Sequence, residues 1–291
     1  MNSVVKGPPD APDCPPVGWC ADAIVAPLEA GADTKLTTAE QRDQFDRDGY
    51  FIIEDLGLPP EVFDGAVEDF APLLLEQHDA EVWGDDGVFY TSHRIMDCWR
   101  ISENVKAIAT APRVLGILEE LYGRRPLPFQ TLNFKMPTQQ RAHSDTIHFN
   151  SKPGGFMAGV WVALEDMDMD NGPLFYHPGS QKLPEVTMVD VGVEADHSQY
   201  LEYEEYMQKV VREANLTTDY GLIKKGQALI WSANLLHGGS PAKDPKRTRN
   251  SQVTHFFFEG TRYYTPLLSK DLSTEEGIFW REPEWIPTES S

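Results

Sequence analysis

The stretch QQRAHSDTIHFN, residues 139–150, carries His143, Asp145 and His148 within six positions. Imidazoles and carboxylates are the ligands a protein offers to a catalytic divalent metal. On an extended strand successive side chains point to opposite faces. A strand here turns His143 and Asp145 the same way and His148 the other, so the simple geometry leaves His148 outside the ligand set. Two ligands do not hold a catalytic metal. Two histidines and one carboxylate on one face of Fe(II), with the remaining positions open, do. The third ligand must then come from a strand distant in sequence. His78 falls at a predicted helix end, His197 in an acidic insert and His177 before Pro178 in a turn, with His93 and His255 also competing. His237 closes the apolar run in GQALIWSANLLHGGSP, and the glycines after it let an imidazole approach an ion without crowding, which makes it the best candidate. Twelve residues later comes Arg249, at the start of the apolar strand RNSQVTHFFF. An inward guanidinium there matches a carboxylate through two parallel hydrogen bonds. Lys243, Lys246 and Arg247, by contrast, read as a solvated basic loop.

Other elements must position these residues. Residues 1–35 form a Pro-rich arm without periodicity. Thr38 and Gln41 make a capping box for a helix that stops near Asp48-Gly49, followed by a strand in YFIIEDL. PPEVFDGAVEDFAPLLLEQHDA predicts a second helix with proline at its start. SENVKAIATAPRVLGILEELYG predicts a third helical region, broken at Pro112 and ending near Gly123, and residues 78–98 read as a loop. From about residue 127 short strand-like runs alternate with Gly, Pro, Asn and Asp turns. Asn171-Gly172 between apolar runs is a hairpin signal, and a helical insert spans about 196–219. Helices first and antiparallel strands after predict an α+β, mainly β domain: a sandwich or barrel flanked by N-terminal helices.

Composition narrows the function. The net charge of −21 argues against a nucleic-acid partner and an acidic membrane face, since both need basic surface. No apolar run approaches the roughly 18 residues of a membrane span, and no apolar core of a secretory signal stands at the N-terminus. Cys14, Cys20 and Cys98 form neither a disulfide framework nor a CxxC metal motif. The expectation is a soluble cytoplasmic protein acting on a small molecule, with oligomeric state unspecified.

Taken in order, these motifs resemble the phytanoyl-CoA dioxygenase family of Fe(II)/2-oxoglutarate oxygenases. The similar segments are FDRDGYFIIEDL, HSD, VWVALEDMDMDNGPLFYHPGSQK, LLHGGSP and RTRNSQVTHFF, covering about residues 36–260. The resemblance implies a double-stranded β-helix (jelly-roll, cupin-like) over 36–291. It implies Fe(II) on His143, Asp145 and His237, and 2-oxoglutarate and O2 as cosubstrates. Arg249 would hold the distal carboxylate of 2-oxoglutarate. Trp161, Ser240 and Thr131 fall at cosubstrate-lining positions, although HGGS is one residue longer than the common HGS spacing. QTLNFK also resembles the ectoine hydroxylase branch, in which the Gln130 position faces substrate, while the rest of that branch's H-x-D neighbourhood is missing. His148 and Asn150 are either strand-end polar groups or substrate-pocket residues, and His255 is either a core histidine or a neighbour of the cosubstrate. The implied reaction is hydroxylation of a small molecule with release of succinate and CO2. Desaturation or ring closure uses the same ligands. A metal-dependent isomerase or lyase would not need the Arg249 clamp, and a catalytically dead relative would not need the intact ligand set.

Overall fold

The computed structural model describes residues 35–77 and 80–288. The predicted N-terminal arm and the position of His78 lie outside the described residues. Helix α1 (Ala39–Asp48) begins at the predicted box: Thr38 Oγ1 accepts the Gln41 N–H at 3.1 Å and the Gln41 side-chain oxygen Oε1 accepts the Thr38 N–H at 2.9 Å. It ends at Gly49, whose φ of 82° only glycine adopts without cost. Strand β1 (Tyr50–Ile53) follows directly. Helix α2 (Pro60–Phe70) is shorter than predicted. A 3₁₀ turn at Ala71–Leu73 ends it, because Pro72 has no N–H to continue the ladder. The segment expected to be a loop instead forms a meander of β2 (Glu81–Trp83), β3 (Phe89–Thr91) and β4 (Arg94–Met96). Helices α3 (Glu103–Ala109) and α4 (Pro112–Tyr122) divide at Pro112, as the sequence indicates.

The remaining strands are β5 (Pro126–Phe134), β6 (Asn150–Lys152), β7 (Met157–Ala163), β8 (Leu174–Tyr176), β9 (Asp219–Tyr220), β10 (Ala228–Ser232), β11 (His237–Gly239), β12 (Ser251–Phe258), β13 (Arg262–Tyr264) and β14 (Trp280–Arg281). One sheet runs β1-β10-β7-β12-β5-β4-β3-β2, and two smaller ones run β11-β8-β9 and β14-β13-β6. All recorded pairings are antiparallel. The large sheet buries Val160, Val162, Ile230, Phe256 and Phe258 against the helical layer of α1 to α4. Its opposite face carries Trp161, Leu229, Trp231 and Val253, which meet Leu174 and Tyr176 of the β8 sheet. The barrel interior lies between those two sheets.

Asn171-Gly172 is not the tip of a hairpin. Strands β7 and β8, on either side of it, belong to different sheets, so the turn carries the chain across the barrel. Gly172 still needs its φ of 73°, and the Asn171 side-chain oxygen Oδ1 accepts the Asp168 N–H at 3.1 Å. The insert forms α5 (Met188–Val191), a 3₁₀ turn at His197–Gln199 and α6 (Tyr200–Glu213). Its Met188, Tyr203 and Met207 pack on Ile147 and Leu236, which flank the predicted ligands. Among the described residues no helix is long and apolar enough to cross a membrane.

Replacing Thr38 by alanine removes an N-cap oxygen and should cost about 1 kcal/mol of stability in a urea titration. An unchanged midpoint would mean that α1 is held by packing alone.

Candidate active site

Of residues 139–150 only Asn150, the first residue of β6, belongs to a strand. His143 forms an isolated antiparallel bridge to His237, each backbone N–H donating to the other's carbonyl at 3.0 Å. The chain then leaves the bridge. Ser144 caps a 3₁₀ turn over Asp145–Ile147, its hydroxyl accepting the Thr146 N–H at 3.2 Å. Strand alternation therefore does not explain why His143 and Asp145 converge; the step from bridge to turn does. The glycines after His237 admit this neighbour. A Cβ on Gly238 would lie 2.5 Å from the Gln140 carbonyl oxygen, and one on Gly239 would lie 2.4 Å from the Thr138 hydroxyl.

The bridge sets the chemistry of both rings. His143 Nδ1 faces the Arg141 carbonyl at 3.0 Å and His237 Nδ1 faces the Leu235 carbonyl at 2.9 Å. Each ring thus donates through Nδ1 and presents a free Nε2 pair, the arrangement a metal needs. Those Nε2 atoms lie 3.9 Å and 3.7 Å from Asp145 Oδ1, and one donor atom from each of the three residues falls within 4.8 Å of the others. All three side chains are buried. The other carboxylate oxygen, Oδ2, accepts the Trp231 indole N–H at 2.8 Å and stands 3.8 Å from His255 Nε2. Two imidazoles and one oriented carboxylate, buried and convergent, fit Fe(II). Burial pushes the Asp145 carboxyl up, but the His237, His255 and His143 imidazoles and the Trp231 N–H outweigh it and hold the group below its ordinary range. Burial holds His143 down at about 3, and His148 and His255 at about 4.

A cavity of about 220 Å³ opens on this triad, and Arg249 lines it with Trp161, Phe134 and Leu174. The Arg249 side chain is buried, makes no ion pair or hydrogen bond among the described residues, and burial brings it down to about 10. Phe134 and Trp161 bracket the guanidinium, which lies 5.7 Å and 5.8 Å from their ring centroids. A buried, uncompensated cation is costly unless an anion joins it.

The other sequence candidates divide. Trp161, Gln130, His148 and His255 line the cavity. The His148 ring stands 6.5 Å from that of His143, on the wall and outside the triad. Thr131 does not reach the cavity. It sits on the opposite face of β5 from Gln130 and Leu132, and its backbone N–H donates to Asp97 Oδ1 at 3.1 Å. Ser240 is buried off the cavity, its N–H given to the Pro173 carbonyl at 3.0 Å. Asn150 turns away to donate to Glu185 Oε2 at 2.6 Å. Sequence reasoning missed Trp231, which holds Asp145, and Gly159, its cross-strand partner. A Cβ on Gly159 would lie 2.2 Å from the indole, so glycine is what leaves space for it. Trp231 lay within the apolar run that ends at His237, but nothing in that run indicates a bond to Asp145.

Comparison with known proteins places this geometry. The family model for phytanoyl-CoA dioxygenase (PhyH) matches residues 45–251. The ectoine dioxygenase of Nocardia farcinica is 29% identical over 229 residues, covering 69% of this chain and 72% of that protein. Phytanoyl-CoA dioxygenase domain-containing protein 1 of Danio rerio is 35% identical over 79 residues, 26% of this chain, and the match spans only 27% of that relative. Among solved structures, EctD from S. alaskensis with 2-oxoglutarate and 5-hydroxyectoine superposes with a TM-score of 0.62 at 20% identity, covering 91% of this chain and 90% of that one. The carbocyclase SnoK from nogalamycin biosynthesis gives 0.59 at 16% identity, covering 80% and 90%. These structural likenesses establish the jelly-roll fold.

Two measurements test the site. Trp231→Phe keeps the ring but loses the N–H donor, so Zn(II) affinity by calorimetry should fall about 10- to 100-fold; undiminished affinity would mean that this bond does not orient Asp145. The unfolded chain protonates its histidines near pH 6.5, above the folded values of His143, His148 and His255, so over that interval it binds more protons than the folded one. Stability of the metal-free protein should therefore be full above about pH 6.5 and fall as pH drops toward 4. A melting temperature flat from pH 7 to 4 would contradict the burial of these rings.

Proposed function

The chain belongs to the phytanoyl-CoA dioxygenase family of Fe(II)- and 2-oxoglutarate-dependent oxygenases, and we propose that it hydroxylates an unactivated C–H bond of a small-molecule metabolite. His143, Asp145 and His237 are the proposed iron ligands and Arg249 the proposed anchor of 2-oxoglutarate. One observation carries this reading: a single cavity holds both the three convergent donor atoms and a buried guanidinium without a partner.

When bound, iron and 2-oxoglutarate supply the oxidising chemistry: one atom of O2 goes into succinate as CO2 leaves, and the other into the substrate. The residues of the chain supply binding and geometry. Arg249 would hold the distal carboxylate, which would compensate its own buried charge. Trp161 and Phe134 wall the guanidinium, and Leu174 and Val253 help keep water from the cavity. Trp231 ties up one oxygen of Asp145, which leaves the other for the metal. The Arg141 and Leu235 carbonyls hold the Nδ1 edges of the ligand histidines and so turn each Nε2 toward Asp145. Asp145 would supply the oxygen donor of the ligand set, since its Oδ1 faces the Nε2 atoms of both histidines. Gln130, His148 and His255 sit where a substrate would face the metal, and Gln130 and His255 are joined by a 3.0 Å hydrogen bond.

The test is succinate formation from 2-oxoglutarate with Fe(II), over a panel of metabolites. Adding 2-oxoglutarate to the anaerobic Fe(II) protein should shift its absorption spectrum. His143→Ala should abolish the shift by losing the metal. Arg249→Ala should keep the metal but weaken 2-oxoglutarate by about 30-fold or more. A native protein with neither shift nor succinate would overturn the assignment.

A further inference from the structure

The cavity holds a second arginine that the proposed iron and cosubstrate sites leave unused. Arg94 lies on β4 across from Phe134 of β5, and its side chain lines the same cavity as the triad. Among the described residues its guanidinium makes no ion pair and no hydrogen bond, and its Nε is shut off from solvent without a partner. Burial holds its pKa below the ordinary arginine range; Glu81, on the exposed edge strand β2, opposes that shift without forming an ion pair with it. A shortage of carboxylates does not explain this. The chain has 46 acidic residues against 25 Lys and Arg, and arginines outside the cavity do meet carboxylates: Arg100 grips Glu284 with two bonds of 3.0 Å and 2.7 Å, and Arg42 meets Glu120 at 3.0 Å.

Charge compensation sharpens the point. In the reading above, Asp145 and the 2-oxoglutarate dianion together match the charges of Fe(II) and Arg249. Arg94 is then left as one uncompensated positive charge on the wall. Glu81 apart, the groups beside it on the wall are uncharged: Gln140 donates to the Tyr200 hydroxyl at 3.2 Å, and the His148 ring stands 5.0 Å from that of Tyr200. Arg94 is half-buried, its guanidinium reaching a cavity whose one carboxylate is Asp145, and a planar guanidinium without a partner is matched best by a carboxylate-type anion.

We propose that Arg94 recognises a single anionic group, of carboxylate type, on the substrate of this enzyme. The proposal rests on the oxygenase reading and adds the substrate class to it. Arg94 is separate from Arg281, which lines a neighbouring outer cavity beside Glu282 and donates to Thr265 Oγ1 at 3.4 Å.

The protein loaded with Zn(II) and 2-oxoglutarate, and so unable to turn over, is titrated by calorimetry with carboxylic acids and their primary amides in matched pairs, from butyrate and butyramide to 3-phenylpropionate and its amide. For at least one pair the carboxylate should bind tenfold or more tightly than the amide. Arg94→Met should bring the two within twofold while 2-oxoglutarate affinity stays within twofold, and Arg281→Met should preserve the discrimination. The metal-free Arg94→Met protein should melt no lower than the native one, since it loses an uncompensated charge and no contact of the fold. No discrimination in the native chain, or discrimination that survives Arg94→Met, overturns the proposal. So does a melting temperature several degrees lower, or loss of 2-oxoglutarate binding in Arg94→Met, which would assign Arg94 to the fold or to the cosubstrate. Failure of the native protein to bind 2-oxoglutarate at all would instead overturn the oxygenase reading beneath it.

Discussion

The site depends on two backbone hydrogen bonds exchanged between His143 and His237. They set the two imidazoles side by side, 4.5 Å between centroids, and turn both Nδ1 atoms onto their own chain's carbonyls. The free Nε2 atoms then face Asp145. His237 begins β11 in a small sheet, whereas Trp231, which holds the carboxylate, belongs to β10 of the large one. The donor set is therefore assembled across the barrel, and its geometry is correct only when both sheets are in place. Rigid packing of the interior fixes the donors more precisely than any loop would.

The electrostatics of the interior run against those of the whole chain. The net charge of the whole chain is −21, yet the cavity presents Arg249 and Arg94 against one carboxylate, Asp145. Each buried ion here is expensive to desolvate, so an empty cavity is less comfortable than a filled one. That cost falls if an anion joins Arg249, whose side chain is buried without a partner among the described residues.

Local signals were the most readable. Thr38, Gln41 and Gly49 bound α1 as the sequence indicates, because capping involves only residues within a few positions. The ordered residues His143, Asp145, His237 and Arg249 were readable as a set because each has a distinctive chemistry. Relations that depend on pairing were not. Residues 139–150 look extended, but their conformation is decided by a bridge to His237, almost a hundred residues away. Gln130 and Thr131 are consecutive on one strand, so only one of them can face the cavity, and register decides that it is Gln130. Arg94 was hidden in a stretch that read as loop, since strands of three residues are too short to show alternation. The jelly-roll itself was readable from the order of helices and strands together with the family motifs, and the solved likenesses share it.

Gly159 and Trp231 bear on how this scaffold can diverge. With 2.2 Å between a Cβ at 159 and the indole, the two positions do not vary independently. Any lineage that gains a side chain at 159 must first shrink residue 231 and so give up the donor that holds Asp145. The space beside the metal can therefore be reshaped from this side only by routes that supply the carboxylate with another anchor. Substrate range is freer to drift on the opposite walls, where Gln130, His148 and Phe149 border both cavities.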